Sequence, residues 1–94
     1  MNIIWTRHAL ERFVERALLY GFSRTEFEVF VKKQEVRISK GFDELYKKEK
    51  FETIGLVAKK FFTVHKAEDN KTIIVITLWE SNAGDVDLWF LKQK

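Results

Sequence analysis

Apolar and polar positions along the chain follow two different periods, and the change falls near Lys33. Before it, apolar residues recur three and four positions apart, which is the spacing of an amphipathic helix. After it, alternating or continuous apolar runs are separated by turn-forming residues, as in strands. We therefore predict two N-terminal helices followed by four or five strands.

The first helix has clear start and stop signals. Asn2–Trp5 is a short apolar lead-in and a candidate edge strand. Thr6 can cap a helix that runs to about Tyr20, where Gly21 ends it. The apolar face predicted for this helix consists of Leu10, Phe13, Val14, Ala17 and Leu18.

A second helix is predicted to open with a capping box. Ser23 is expected at the N-cap and Glu26 three residues later, so that each side chain bonds the backbone N–H of the other. Because so few residues separate the two helices, they must form a hairpin or a sharp corner. The second helix runs to about Lys33, and the residues that it should bury are Phe27, Phe30 and Val31.

The strands are predicted over residues 36–39, 51–57, 59–66, 72–79 and 86–91. The 72–79 segment is nearly all apolar and β-branched, so it is expected as a central strand buried on both faces. Gly55 should interrupt the strand that contains it. Turns are expected at 68–70 and, as a hairpin loop, at 81–85. The charged 40–50 segment is interpreted either as an irregular loop or as a turn of helix.

Together these elements predict one α+β domain spanning residues 1–94. Two N-terminal helices should pack on one face of an antiparallel sheet of four or five strands. A chain of 94 residues, 46% of them hydrophobic, can bury a single core. The side chains expected in that core are Leu10, Phe13, Phe27, Phe30, Ile74 and Ile76.

The composition excludes several kinds of site and indicates the cellular compartment. The chain has no cysteine, which excludes a disulfide, a thiolate zinc site and a cysteine nucleophile. No run approaches the ~20 apolar residues of a membrane span, and no signal-peptide pattern opens the chain. We therefore expect a cytoplasmic protein that does not contact a membrane. The high charge and the absence of proline favour a thermophilic source.

The excess of positive charge is small and belongs to the first half of the chain. The net charge is +3, from 17 Lys and Arg against 14 Asp and Glu. Residues 1–50 hold 11 basic and 8 acidic side chains, whereas residues 51–94 hold 6 of each. On its own this is a weak indication of nucleic-acid binding.

The first helix carries more charge than packing requires. His8, Arg12 and Arg16 are spaced by four and line one stripe. Guanidinium groups match phosphate oxygens and an imidazole adds acid–base capacity, so these three are candidate catalytic residues. Arg7, Arg12 and Arg16 are also predicted to bind nucleic acid. The alternative is that these arginines form ordinary surface ion pairs with neighbouring glutamates.

The opening motif resembles a known family. His8-Ala9-Leu10-Glu11-Arg12-Phe13, then Glu15-Arg16 and a second helix opened by Ser23, looks like the small bacterial and archaeal family called domain of unknown function 4258. That family is similar in fold to the RelE/ParE toxin superfamily, whose members include ribosome-dependent or free ribonucleases and gyrase inhibitors. The resemblance implies a RelE/ParE-like α+β fold. It assigns no activity to individual residues.

The predicted strand at 59–66 is a second basic element. Alternation places Lys59 and His65 on one face and Lys60 and Lys66 on the other, each set with a phenylalanine. Only one face can meet the helices, so one basic set should face solvent, where bases stack on rings and ammonium groups bind phosphates. Lys59, Lys60 and Lys66 are therefore predicted nucleic-acid ligands, and His65 is a candidate general acid or base. The alternative is solvated lysines beside core phenylalanines.

Two further groups of residues are open to two interpretations. The lysines of the 40–50 segment, with Tyr46, could clamp RNA or a partner, or could simply be solvated. Trp79 and Trp89 are expected as cross-strand core residues, and exposure of either would indicate a partner surface.

These patterns support three hypotheses for function. The first is a toxin-like, RNA-directed protein, such as a metal-independent endoribonuclease acting on free RNA or on the ribosome. The second is a non-catalytic module that binds RNA or an antitoxin-like protein. The third is a small structural protein whose charged helix only confers solubility. No cofactor or metal ion is expected, and the sequence does not indicate the oligomeric state.

Overall fold

Five strands form one mixed sheet, and helices cover both of its faces. The structure, a computed structural model, describes residues 1–33 and 36–93. In sheet order the strands are β1 (Asn2–Trp5), β5 (Thr72–Glu80), β4 (Lys60–Glu68), β3 (Lys48–Val57) and β2 (Val36–Asp43). The α-helices in these ranges are α1 (Arg7–Arg12), α2 (Arg24–Lys33) and α3 (Ala83–Lys92). The predicted α+β class is confirmed.

The β1 edge departs from the all-antiparallel sheet predicted from the sequence. β1 runs parallel to β5, with Asn2 opposite Thr72 and Trp5 opposite Val75, whereas the other three strand pairs are antiparallel. Most of the chain separates β1 from β5, so no hairpin turn fixes the direction of β1. The candidate edge strand is therefore confirmed, and the antiparallel prediction is wrong at this edge.

The first helix begins and ends where the sequence indicates. The Thr6 side chain accepts a hydrogen bond from the Ala9 backbone N–H at 3.0 Å. After α1 the chain continues through a π-helical turn at Phe13–Ala17 and a 3₁₀ turn at Leu18–Tyr20. Gly21 then ends the helix in the left-handed region, at φ +84°.

The buried stripe of the first helix differs in part from the predicted one. Ala9, Phe13 and Ala17 are buried, whereas Val14 and Leu18 are about half exposed. A π turn holds more residues than an α turn, so positions four apart stay aligned across it and keep facing the sheet. The prediction that Val14 and Leu18 belong to the buried face is therefore wrong.

The second helix opens with the predicted capping box. The Ser23 N–H donates to the Glu26 carboxylate and the Glu26 N–H donates to the Ser23 hydroxyl, each at 3.1 Å. α2 buries Phe27, Phe30 and Val31, as predicted. The side chains that form the core between these helices and the sheet are Ala9, Phe13, Ala17, Phe22, Phe27, Phe30, Val31, Val57, Phe62, Val64, Ile73, Val75 and Leu78.

Three of the residues predicted for the core lie outside it, and a bulge in β5 accounts for one of them. His65 lies opposite Thr77 and Lys66 lies opposite Val75, so Ile76 has no partner on β4. Ile74 lies on the face away from α1 and α2, since it alternates with its core neighbours Ile73 and Val75. Leu10 is only partly buried and lines the outer side of α1. Leu10, Ile74 and Ile76 therefore lie outside that core.

The 40–50 segment, interpreted as a loop or a turn of helix, is mostly strand. β2 continues to Asp43 and β3 begins at Lys48. Gly41 lies at φ +92° within the register shift between Ser39 and Phe42. The glycine therefore marks a β-bulge inside a continuous hairpin rather than the start of a loop.

The remaining strands lie close to their predicted positions. β3 runs through Gly55, which pairs with Phe62, so the predicted interruption is wrong. The central strand is β4; β5 is an internal strand between β1 and β4. The predicted turn after β4 is confirmed, because the Asp69 carboxylate accepts from the backbone N–H groups of Lys71 and Thr72 at 2.9 Å.

The C-terminal segment is a helix, where the sequence pattern predicts a hairpin loop and a strand. The Asp85 N–H donates to the Asn82 side chain at 2.9 Å, and the Asn82 N–H donates to the Asp85 carboxylate at 3.3 Å. This capping box starts α3. α3 lies on the face opposite α1 and α2, where Trp89 contacts Phe61 with ring centroids 5.0 Å apart.

Candidate functional site

The alternation of side chains along β4 separates two different surfaces of the sheet. The β4 residues on the face covered by α1 and α2 are the buried Phe62, Val64 and Lys66. The odd-numbered side chains point to the other face. There Phe61 contacts Trp89 of α3, and Thr63 donates to Asp85 at 3.0 Å. The His65 side chain, in contrast, is 39% exposed.

A cavity of about 480 Å³ opens beside His65 on this second face. The strand register explains the grouping, because Glu52 lies opposite His65 and Trp79 lies opposite Thr63. The residues that line the cavity are Lys40, Lys50, Phe51, Glu52, His65 and Trp79. Strands β2 to β5 thus each contribute side chains to one concave surface.

Glu52 links the charged groups of this cavity. One carboxylate oxygen, Oε2, lies 3.2 Å from Lys40 Nζ, and the other, Oε1, lies 3.9 Å from His65 Nε2. Glu52 is buried, whereas the Lys40 side chain is about half exposed. Lys50 lies on the same wall, so two ammonium groups line the cavity and can contact an anionic ligand.

The environment of His65 keeps its imidazole neutral. Partial burial lowers the pKa of His65 below the usual 6.5. The carboxylate of Glu52 and, less strongly, that of Asp85 oppose this shift in pKa, and the ammonium groups of Lys40 and Lys50 reinforce it. At pH 7 the ring therefore has a free lone pair and can accept a proton.

Trp79 forms a wall of the cavity. Its indole N–H donates to Asp85 Oδ2 at 2.9 Å, and its ring meets the His65 ring edge to face with centroids 5.0 Å apart. The side chain is only partly buried, so the prediction of a core tryptophan holds only in part. An indole beside ammonium groups is a combination on which unpaired bases stack.

The candidates on the first helix do not reach this cavity. His8, Arg12 and Arg16 lie on the helix whose buried side packs against the opposite face of the sheet. His8 and Arg16 are exposed, and Arg12 pairs with Glu15 at 3.3 Å. The sheet therefore separates these three residues from His65, and the structure does not bring the four candidate catalytic residues together.

The other predicted nucleic-acid ligands are dispersed. Lys66 is fully buried, and its Nζ donates to the Val31 carbonyl at 3.0 Å, so it is not accessible to RNA. Lys59, in the turn before β4, and Lys60, the first residue of β4, are both exposed, and Lys60 Nζ lies 4.7 Å from the centroid of the Tyr20 ring. Arg7 is almost fully exposed and pairs with Glu11 at 3.3 Å.

Glu52 is a charged cavity residue that sequence reasoning missed. Its place opposite His65 follows from the tight turn between β3 and β4, where Val57 pairs with Lys60. The two residues of that turn, Ala58 and Lys59, both have positive φ, at 47° and 72°. Such turns normally carry Asn-Gly or Asp-Gly, so an Ala-Lys pair gives no signal from which the register could be read.

No protein-family model matches the chain, and no curated protein matches it.

Across residues 1–33 and 36–93, no helix is long and apolar enough to cross a membrane. Within the same ranges, no three histidine or carboxylate side chains gather into a group that could hold a metal ion. The fold and the site define an α+β domain with a cavity, lined by basic, acidic and aromatic side chains, on one face of its sheet.

Proposed function

We propose that this chain is a RelE/ParE-toxin-like, RNA-directed protein that cleaves RNA at the His65 cavity without a metal ion. The observation that supports this function is the grouping of a neutral imidazole, two ammonium groups and an indole around one cavity. These groups match a ribose hydroxyl, a phosphate and an unpaired base. Such a protein works in the cytoplasm, on free RNA or on the ribosome.

In the proposed reaction, His65 acts as the general base. Its imidazole takes the proton of a ribose 2′-hydroxyl, and the 2′-oxygen attacks the adjacent phosphorus. The bond from phosphorus to the 5′-oxygen then breaks. The leaving oxygen takes a proton from water, and the imidazolium returns its own proton to solvent. The products are a 2′,3′-cyclic phosphate and a free 5′-hydroxyl.

The other cavity residues support this step through charge and stacking. Lys40 and Lys50 stabilise the negative charge that develops on the phosphorane oxygens. Glu52 holds the Lys40 ammonium group in place through their 3.2 Å ion pair. Trp79 offers its ring to a base next to the reacting phosphate.

Cleavage assays on two histidine variants test this proposal. RNA would be incubated with wild type, His65→Ala or His8→Ala in the presence of a chelator, with and without ribosomes. We expect His65→Ala to lose about 10²- to 10⁴-fold in rate. His8→Ala is the matched control and should keep the wild-type rate, because His8 lies across the sheet from the cavity.

Three results would contradict the proposal. The first is a His65→Ala variant that cleaves as fast as wild type, and the second is loss of activity in His8→Ala instead. The third is a wild-type activity that the chelator abolishes, which would indicate metal-dependent chemistry.

A non-catalytic interaction module is the second candidate function. Apolar side chains on the first helix favour it, since Val14 and Leu18 are about half exposed and Leu19 is 80% exposed. An antitoxin-like protein could cover this surface. Binding of RNA or protein with no cleavage under any condition would support this candidate. Growth arrest of a bacterial host that His65→Ala relieves would support the ribonuclease.

A further inference from the structure

Asp85 accepts more hydrogen bonds than its place at the start of α3 requires. A capping box needs only the bond from the Asn82 N–H, which lies 3.3 Å from Asp85 Oδ2. The same oxygen lies 2.9 Å from Trp79 Nε1 and 3.0 Å from Thr63 Oγ1. Asp85 therefore joins the start of α3 to side chains of both β5 and β4.

The donors and acceptors in this group determine the direction of each bond. An indole N–H only donates and a carboxylate only accepts. The single hydroxyl proton of Thr63 goes to Asp85, so the Ser81 hydroxyl, 2.7 Å away, must donate to Thr63. Thr63 is fully buried. The position of the Asp85 carboxylate is thus set by several bonds at once.

Trp79 connects this hydrogen-bonded group to the cavity. Its indole contacts His65 edge to face, and both rings line the same cavity. A rotation of the indole about its side-chain bonds would break the hydrogen bond to Asp85. The bond therefore fixes the plane of the ring relative to the imidazole.

We propose that Asp85 is a positioning residue that holds Trp79 where an unpaired base of single-stranded RNA stacks beside His65. This inference rests on the proposed function and adds the class of substrate. A duplex keeps its bases paired and stacked, so it cannot offer one to the indole. The site should therefore select single-stranded RNA over a duplex of the same sequence.

The test combines NMR with cleavage of a single-stranded oligoribonucleotide. Asp85→Ala removes the acceptor, whereas Asp85→Asn keeps an acceptor oxygen. Asn82→Ala removes the other half of the α3 capping box but leaves Asp85 in place. Glu28→Ala removes a comparable bond elsewhere, since the Trp5 indole donates to Glu28 at 2.7 Å.

We expect the Asp85→Ala variant to move the Trp79 indole N–H signal and the His65 ring-proton signals, which sense the ring current of Trp79. Its kcat should fall by about tenfold to a hundredfold, as misplacement of a substrate-orienting group typically causes. Asp85→Asn should restore most of both properties. Asn82→Ala and Glu28→Ala should leave both close to wild type.

Two results would overturn the positioning role. One is an Asp85→Ala variant with unchanged Trp79 and His65 signals. The other is an Asn82→Ala variant that reproduces its losses, because the effect would then come from a weakened α3. If wild type cleaves no RNA but the signals respond as expected, Asp85 still positions Trp79 and only the proposed cleavage fails.

Discussion

Lys66 shows how a residue that looks like a nucleic-acid ligand can serve the fold instead. Its side chain is fully buried, and its Nζ lies 2.7 Å from Glu68 and 3.0 Å from the Val31 carbonyl. Burial lowers the pKa of Lys66, and Glu68 opposes that shift. Val31 belongs to the last turn of α2, whose carbonyls lack partners within the helix. The lysine thus caps α2 from the sheet.

Loss of the Glu68 carboxylate should therefore be costly. We expect Glu68→Ala to lower the free energy of unfolding by about 3–5 kcal/mol, because it leaves a buried ammonium group without its counter-charge. The measurement is urea unfolding. Glu11→Ala is the control, since its exposed ion pair with Arg7 should contribute less than about 1 kcal/mol. The double variant Lys66→Met/Glu68→Ala should be more stable than Glu68→Ala; equal stability would contradict this role.

At the same scale, the sequence shows which candidate residues share a face of the sheet, but it does not show which of them form the site. Alternation along β4 correctly divides His65 from Lys66, because the period of a strand is a local property. Which set faces solvent depends on where the helices pack, and that is not local. The sequence alone does not identify Glu52 as a site residue, because its proximity to His65 depends on the β3–β4 register.

Among the elements, the first two helices start and stop at local signals that the sequence shows. The caps at Thr6, Ser23 and Gly21 lie where the sequence indicates, because each involves residues within a few positions of one another. α3 is missed because its apolar positions, Val86 and Leu88 among them, alternate as they would in a strand. The bond between the Asn82 side chain and the Asp85 N–H starts the helix, and packing against the sheet completes it.

Gly21 gives a direct test of the stop signal. Its φ is +84°, and a Cβ atom added there would meet nothing within 4 Å, so the cost of a side chain is conformational rather than steric crowding. We expect Gly21→Ala to lower the free energy of unfolding by about 1–2 kcal/mol, and Gly21→Asn to lose less, since asparagine tolerates this region. Urea unfolding measures both. Equal losses for the two variants would contradict the assignment of Gly21 as the left-handed stop.

In the whole molecule, two basic surfaces lie on opposite sides of the sheet. One carries Arg7, Arg12 and Arg16 on the first helix, and the other carries Lys40 and Lys50 at the cavity. The sequence predicts two helices on one face correctly, since both follow a clear helical period. It does not predict the parallel β1 or the third helix on the other face, because these depend on contacts between distant segments.

Because the two basic surfaces are separate, the salt dependence of RNA binding can show which of them contacts RNA. Binding of a single-stranded RNA with 2′-O-methyl groups, which cannot be cleaved by the proposed route, would be titrated over a range of salt concentrations. Each phosphate contact contributes about −0.7 to the log–log slope. We expect Lys50→Ala to flatten the slope by about that amount. Arg12→Ala should leave it unchanged, because Arg12 lies on the other side of the sheet and pairs with Glu15.

The opposite result would assign RNA binding to the surface of the first helix. If Arg12→Ala flattens the slope and Lys50→Ala does not, RNA binds the first helix and His65 is too far away to cleave it. If wild type binds no RNA even at low salt, where phosphate contacts are strongest, the interaction module becomes the better account. The exposed Val14, Leu18 and Leu19 would then be the side chains to test for binding a protein partner.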